Sequence, residues 1–117
     1  MAKMKRMNKN IKARWLNALR GPRYLQGTGA LRFGNRFCCL GVLSDLHAKE
    51  TFLDWDYDEN TGLYRYLGET VMLPSSVCEW AGIGNPNPPV LKVELSTHND
   101  SRKLSFERIG RLIERHL

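Results

Sequence analysis

Residues 36–48 read RFCCLGVLSDLHA. Phe37, Leu40, Leu43 and Leu46 or His47 recur at helical spacing, and Cys39 and Val42 widen the apolar stripe. A helix apolar on this many sides must be wrapped by the rest of its chain. Everything else in the sequence is therefore read as covering for this segment. Gly41 stands in its middle, where glycine costs about 1 kcal/mol relative to alanine. Such a residue predicts close approach by another segment. Gly34-Asn35 is a turn signal, and Asn35 is the expected N-cap of a helix running from Arg36 to Ala48.

The chain has 117 residues, enough for one domain with one core. Asn8 or Asn10 can cap a helix through Arg20, with Ile11, Trp15, Ala18 and Leu19 on its buried stripe and Gly21-Pro22 ending it. Residues 21–34 are glycine-rich and read as a loop with short extended pieces. From Phe52 the period changes to two: FLDWDY, the turn DENTG, then LYRYL, a β-hairpin with room for a third strand before TVML. Pro74 starts a short helix closed by Gly82. VLKVEL reads as an edge strand, and Ser105 caps a last helix that buries Phe106, Ile109, Leu112 and Ile113, with Leu104 stapled on Ile109. The expectation is a flexible basic arm over 1–8 and a single α+β domain over 9–117. That domain has about four helices, two of them short, and a β-hairpin or small antiparallel sheet.

Charge is segregated. Residues 1–36 carry ten Lys or Arg and no acid; residues 45–59 carry six acids against Lys49 alone. A basic section of this kind attracts phosphate, on a nucleotide, a nucleic acid or a membrane surface. No apolar stretch reaches the length of a membrane span, and none follows the basic N-terminus as a secretory signal requires. The expected setting is the cytoplasm, without a membrane partner.

Three cysteines, Cys38, Cys39 and Cys78, suit a reducing compartment. Neighbouring cysteines do not meet disulfide geometry. Neither they nor His47, His98 and His116 show the paired spacing of a zinc site. The acidic turn DWDYDENTG begins like a calcium loop but places Glu59 where glycine is needed and Arg65 where glutamate is needed. No metal or other cofactor is expected. If Asn35 caps the central helix, Cys38 lies in its first turn, where the dipole and Arg36 favour thiolate. A packed, inert pair is the favoured reading, because cysteine is among the most buried residue types.

Phosphate contact is the best-motivated chemistry. Gly27, Thr28 and Gly29 can turn backbone N–H groups inward, and Arg20, Arg23, Arg32 and Arg36 flank them in sequence. Arginine's planar fork gives a phosphate two hydrogen bonds at once. Tyr24, Trp55, Tyr57, Tyr64, Tyr66 and Trp80 are candidates for stacking on a base, with Tyr24, Trp55 and Tyr57 foremost, and burial in the core is the competing reading for most of them, Trp80 above all. Asp45 is expected to pair with a nearby arginine. No nucleophile–base pair stands out, so an enzyme is not expected.

Three blocks of the chain also carry a resemblance. WLNALRGPRYLQGTGALRFGNRFCCLGVLSDL, LPSSVCEWAGI and HNDSRKLSFERIGRLIERHL, in this order, resemble a family of small proteins encoded by tailed phages and prophages. In that family a W-x-x-AL helix leads into a loop rich in Gly, Tyr and Gln, then a CCLGVLxDL helix. Where the family often has a further cysteine, this chain has Ser44, which argues against a metal site that needs that sulfur. The resemblance carries over no catalytic or ligand residue. It implies a phage accessory protein acting in the host bacterial cytoplasm, of the kind that inhibits host machinery or blunts host defence. The partners expected are a nucleotide-like small molecule or a host protein, with nucleic acid as the alternative and a homodimer as a possible assembly.

Overall fold

In the computed structural model, which describes residues 6–117, the first helix opens at Asn8. The Asn8 Oδ1 accepts the Ile11 N–H at 3.0 Å and caps α1 (Lys9–Arg20), whose buried stripe is Ile11, Trp15, Leu16 and Leu19. Of the arm expected over 1–8, residues 1–5 lie outside the described residues. Met7 is buried in the core, and the Asn8 N–H is donated to Ala81 O at 2.8 Å. Ordered packing thus begins before residue 9.

The glycine-rich stretch folds into three two-residue strands, β1 (Leu25–Gln26), β2 (Arg32–Phe33) and β3 (Arg36–Phe37). β3 pairs antiparallel with β2 around the Gly34-Asn35 turn and parallel with β1. This moves the start of the central helix. Arg36 and Phe37 are strand, Asn35 belongs to the hairpin turn, and Cys38 is the N-cap of α2 (Cys39–Thr51). Strand pairing wins there because Phe37 faces Arg32 on one side and Gln26 on the other, so its backbone has partners a helical start would not supply.

α2 is the buried centre: Cys39, Leu40, Val42 and Leu43 have no exposed surface. The segment that closes on Gly41 is the approach to β2. A Cβ at Gly41 would lie 1.8 Å from Leu31 O.

β4 (Asp56–Asp58) and β5 (Leu63–Arg65) form the expected hairpin, and β5 also pairs with β2 through Phe33 and Leu63. The result is a five-stranded mixed sheet in the order β1-β3-β2-β5-β4 rather than an isolated hairpin. α3 (Ser75–Ala81) follows Pro74 and ends at Gly82, φ 72°. VLKVEL is not an edge strand. It is a tight hairpin, β6 (Pro89–Val90) and β7 (Val93–Glu94), turned by Leu91 and Lys92 at φ 53° and 63°, and it runs directly into α4 (Leu95–Asp100). Ser105 caps α5 (Phe106–His116), its Oγ accepting the Arg108 N–H at 3.3 Å. α5 lies along α1, and α2, α3 and α4 close the core. The fold is α+β.

Candidate functional site: a cationic, aromatic cleft

Asp45 sits on the second turn of α2, 8 % exposed, with both carboxylate oxygens engaged. Its Oδ2 accepts the Tyr24 hydroxyl at 2.6 Å and lies 3.2 Å from Lys49 Nζ; its Oδ1 accepts Trp55 Nε1–H at 2.9 Å. The expected arginine partner is replaced by Lys49, one helical turn further on, because i and i+4 share a face. Lys49 also donates to the Tyr24 oxygen at 3.2 Å. Burial, then the adjacent carboxylate, pushes the Tyr24 phenol above the usual tyrosine range, so it stays a donor. Asp45 therefore ties together the loop after α1, α2 itself and the approach to β4.

Beside this cluster the Arg32 guanidinium lies over three rings. Its centre is 3.9 Å from the Tyr64 centroid, 5.1 Å from Phe37 and 5.6 Å from Trp55. Its Nε donates to Gly34 O at 2.9 Å. Arg32 has no carboxylate partner among the described residues. It opens onto a cleft of about 740 Å³, with Lys49, Phe52, Asp54, Trp55 and Tyr64 on its walls. A second groove of about 480 Å³ shares Lys49 and is lined by Arg14, Arg23 and Tyr24, with no carboxylate.

The residues expected to form a phosphate loop are not brought together. Gly27 donates its N–H to Phe37 O at 2.8 Å, its carbonyl accepts Asn99 Nδ2–H at 2.8 Å, and a Cβ there would lie 2.8 Å from the Arg36 Cβ. This glycine serves strand contact, and its N–H is not available to a ligand. Thr28 and Gly29 lie exposed, Gly29 at φ 83°. Arg20 pairs with Glu114 of α5 at 3.0 Å. Arg36 is on the far face of the sheet from Arg32, since Arg32 is registered with Phe37 and Arg36 with Phe33. Of the four arginines, Arg32 and Arg23 remain near one surface, joined through Lys49.

Of the stacking candidates, Trp55 lines the cleft. Tyr24 is buried with its ring edge-on to Phe37 at 5.2 Å. Tyr57 is exposed and meets Tyr64 at 4.9 Å, extending the aromatic row outward. Lys49 and Phe52 were not singled out by the sequence, and Tyr64 was named only as one of several candidates for stacking on a base. Lys49 was legible as the i+4 partner of Asp45; Tyr64 needed the β2–β5 pairing, which is not a local signal.

Cys38 and Cys39 are buried. The Cys38 Sγ accepts the Gly41 N–H at 3.4 Å, yet burial pushes its thiol up to about 11, and Cys39 is raised well above its ordinary value for the same reason. Cys78 is only partly buried. Native protein treated with a thiol reagent at pH 8 is expected to label at Cys78 and to protect Cys38 and Cys39 until it is unfolded. Peptide mapping checks this, and rapid native labelling of Cys38 would contradict the burial argument. Among the described residues no three His, Cys, Asp or Glu side chains gather closely enough to hold a metal, and no helix is long and apolar enough to cross a membrane.

Fold and cleft together define a small α+β domain with an aromatic depression whose lining carries Arg32 and Lys49 beside Asp45 and Asp54. The chain belongs to the family described as Domain of unknown function (DUF8296), whose model matches residues 7–117. No curated protein and no solved structure matches the chain.

Proposed function

We propose that this protein is a non-catalytic binding protein that captures a phosphate-bearing, nucleotide-like ligand in the Arg32 cleft. We propose further that it does so as a phage accessory protein in the host cytoplasm, directed against host defence. The observation that carries the binding reading is Arg32 itself. A guanidinium stacked on Tyr64, held by one hydrogen bond at Nε and without a carboxylate partner among the described residues, has its remaining donors to offer. Lys49, paired with Asp45 at 3.2 Å, lies on the same wall beside the Trp55 ring. The resemblance to tailed-phage proteins supports the setting.

The nucleic-acid alternative is supported less. Two cations of the basic section, Arg14 and Arg20, are engaged with Glu50 and Glu114 at 2.7 and 3.0 Å, which lowers the charge available to a polyanion.

Thermal-shift and calorimetric titration with nucleoside mono- and diphosphates, cyclic nucleotides and ADP-ribose tests the reading. At least one is expected to stabilise the protein. Arg32→Ala is expected to weaken that ligand about 10- to 100-fold, the range for loss of a charge-assisted pair. Arg20→Ala and Arg36→Ala are expected to bind as the parent does. Absence of stabilisation by the whole panel would refute the reading.

A further inference from the structure

Phe52 ends α2 at the lip of the Arg32 cleft, 93 % exposed, with its backbone left-handed at φ 58° and ψ 35°. Both properties run against stability. The position is one that glycine usually fills, and a bulky side chain there is strained. A large aromatic side chain in water also forgoes the burial that normally justifies it. The conformation is nevertheless fixed. The Phe52 and Leu53 N–H groups are both donated to Ala48 O, the second at 3.0 Å, so the helix end aims the ring. Strain held in place by its surroundings is a mark of functional positions.

The other aromatic residues of the cleft are already engaged. Tyr64 is covered by Arg32 and touches Tyr57; Trp55 meets Phe37 and Tyr66 at 6.0 and 5.1 Å. Phe52 has neither a ring nor a cation against it among the described residues. It lines the same cleft as Arg32, Trp55 and Tyr64.

We infer that Phe52 is the residue that stacks on the planar ring of the ligand, while Arg32 receives its anionic end. The inference rests on the binding function proposed above and adds the ring-recognising residue to it. It restricts the ligand class to anions carrying a flat heterocycle, as opposed to inorganic phosphates.

The test titrates the parent protein, Phe52→Ala, Phe52→Tyr and Arg32→Ala with ADP, GDP, CDP and UDP and with inorganic pyrophosphate, which shares the diphosphate and lacks the ring. The parent is expected to bind at least one nucleoside diphosphate more tightly than pyrophosphate. Phe52→Ala is expected to weaken that nucleotide about tenfold, within the range for one base–aromatic stack, and to leave pyrophosphate unchanged. Phe52→Tyr is expected to retain binding, and Arg32→Ala to weaken both probes. Because the side chain is exposed, Phe52→Ala is expected to melt no lower than the parent, so a loss of binding cannot be put down to unfolding. Equal nucleotide affinity in the parent and Phe52→Ala, or a parent that prefers pyrophosphate, overturns the stacking role and leaves the anion site standing. A parent that binds none of the five overturns both.

Discussion

Gly41→Ala is expected to be the most destabilising small substitution in the central helix, removing about 3 kcal/mol or more of stability. The new Cβ would stand 1.8 Å from Leu31 O, 2.7 Å from Leu31 C and 3.2 Å from Leu31 Cα. These are backbone atoms, so no rotamer change relieves the clash. The strand cannot retreat cheaply either: Leu31 O accepts the Cys38 N–H at 3.1 Å, and the Leu31 N–H is donated to Thr70 O at 2.7 Å. Relief means separating α2 from the chain that wraps it. Overpacking a core commonly costs about 1–3 kcal/mol, and displacing backbone by more than an ångström puts this case at about 3 kcal/mol or above. The alanine recovers about 1 kcal/mol of helix propensity, which does not reverse the sign. Against a total stability of roughly 5–15 kcal/mol, this lowers the melting temperature by about 10 °C or more. Thermal melts followed by circular dichroism measure it, and a melt within a few degrees of the parent would disprove the close approach.

Asn99→Leu is expected to cost about 3 kcal/mol, roughly 10 °C, at nearly constant volume. Asn99 is wholly buried. Its Oδ1 accepts the Cys39 N–H at 3.3 Å and Gln26 Nε2–H at 3.0 Å, and its Nδ2 donates to Gly27 O at 2.8 Å. The first of these satisfies an amide in the opening turn of α2 that has no partner within its own helix. A leucine removes both donor and acceptor, leaving a buried Cys39 N–H unpaired at about 1–3 kcal/mol and a half-buried Gly27 carbonyl at a smaller cost. Gln26 keeps Leu104 O and Phe106 N as partners, which limits the damage on that side. Urea unfolding of the variant at unchanged m-value reads the cost directly. A loss below 1 kcal/mol would mean that water replaces the side chain.

These two positions divide what the sequence reveals from what it conceals. Gly41 was legible: a glycine inside an apolar helix has a local cost that calls for a reason, and the reason is Leu31. The α1 cap at Asn8, the α5 cap at Ser105 and the Gly82 stop were legible for the same cause, since each acts within a few residues of itself. Asn99 was not, because the Cys39 and Gly27 groups it satisfies lie 60 and more residues away in the chain. Its helix was hidden too. Leu91 and Lys92 adopt positive φ without glycine, so the turn that ends β6 carries no turn residue to announce it. The phosphate-loop expectation failed on similar ground. The glycines at 27 and 29 looked like a cradle in one dimension, but strand alternation sends Arg32 and Arg36 to opposite faces. The cleft that takes their place needs Arg32, Lys49 and Tyr64 from three elements, of which only the Asp45–Lys49 spacing is a local signal.

The ties between distant segments also bear on how the chain reaches this state. Lys12 donates to Glu114 O at 3.0 Å, Gln26 accepts from Phe106 N at 3.1 Å, and Cys39 waits on Asn99. The first third of the sequence thus completes its core with the last fifth, a topology whose loop closures slow folding relative to a bundle of local contacts. On the ribosome the apolar faces of α1 and α2 emerge well before the helices that cover them, α5 for α1 and α3 and α4 for α2, are made. During that interval the nascent chain is the species most exposed to aggregation, so yield in cells will follow chaperone capacity more closely than equilibrium stability.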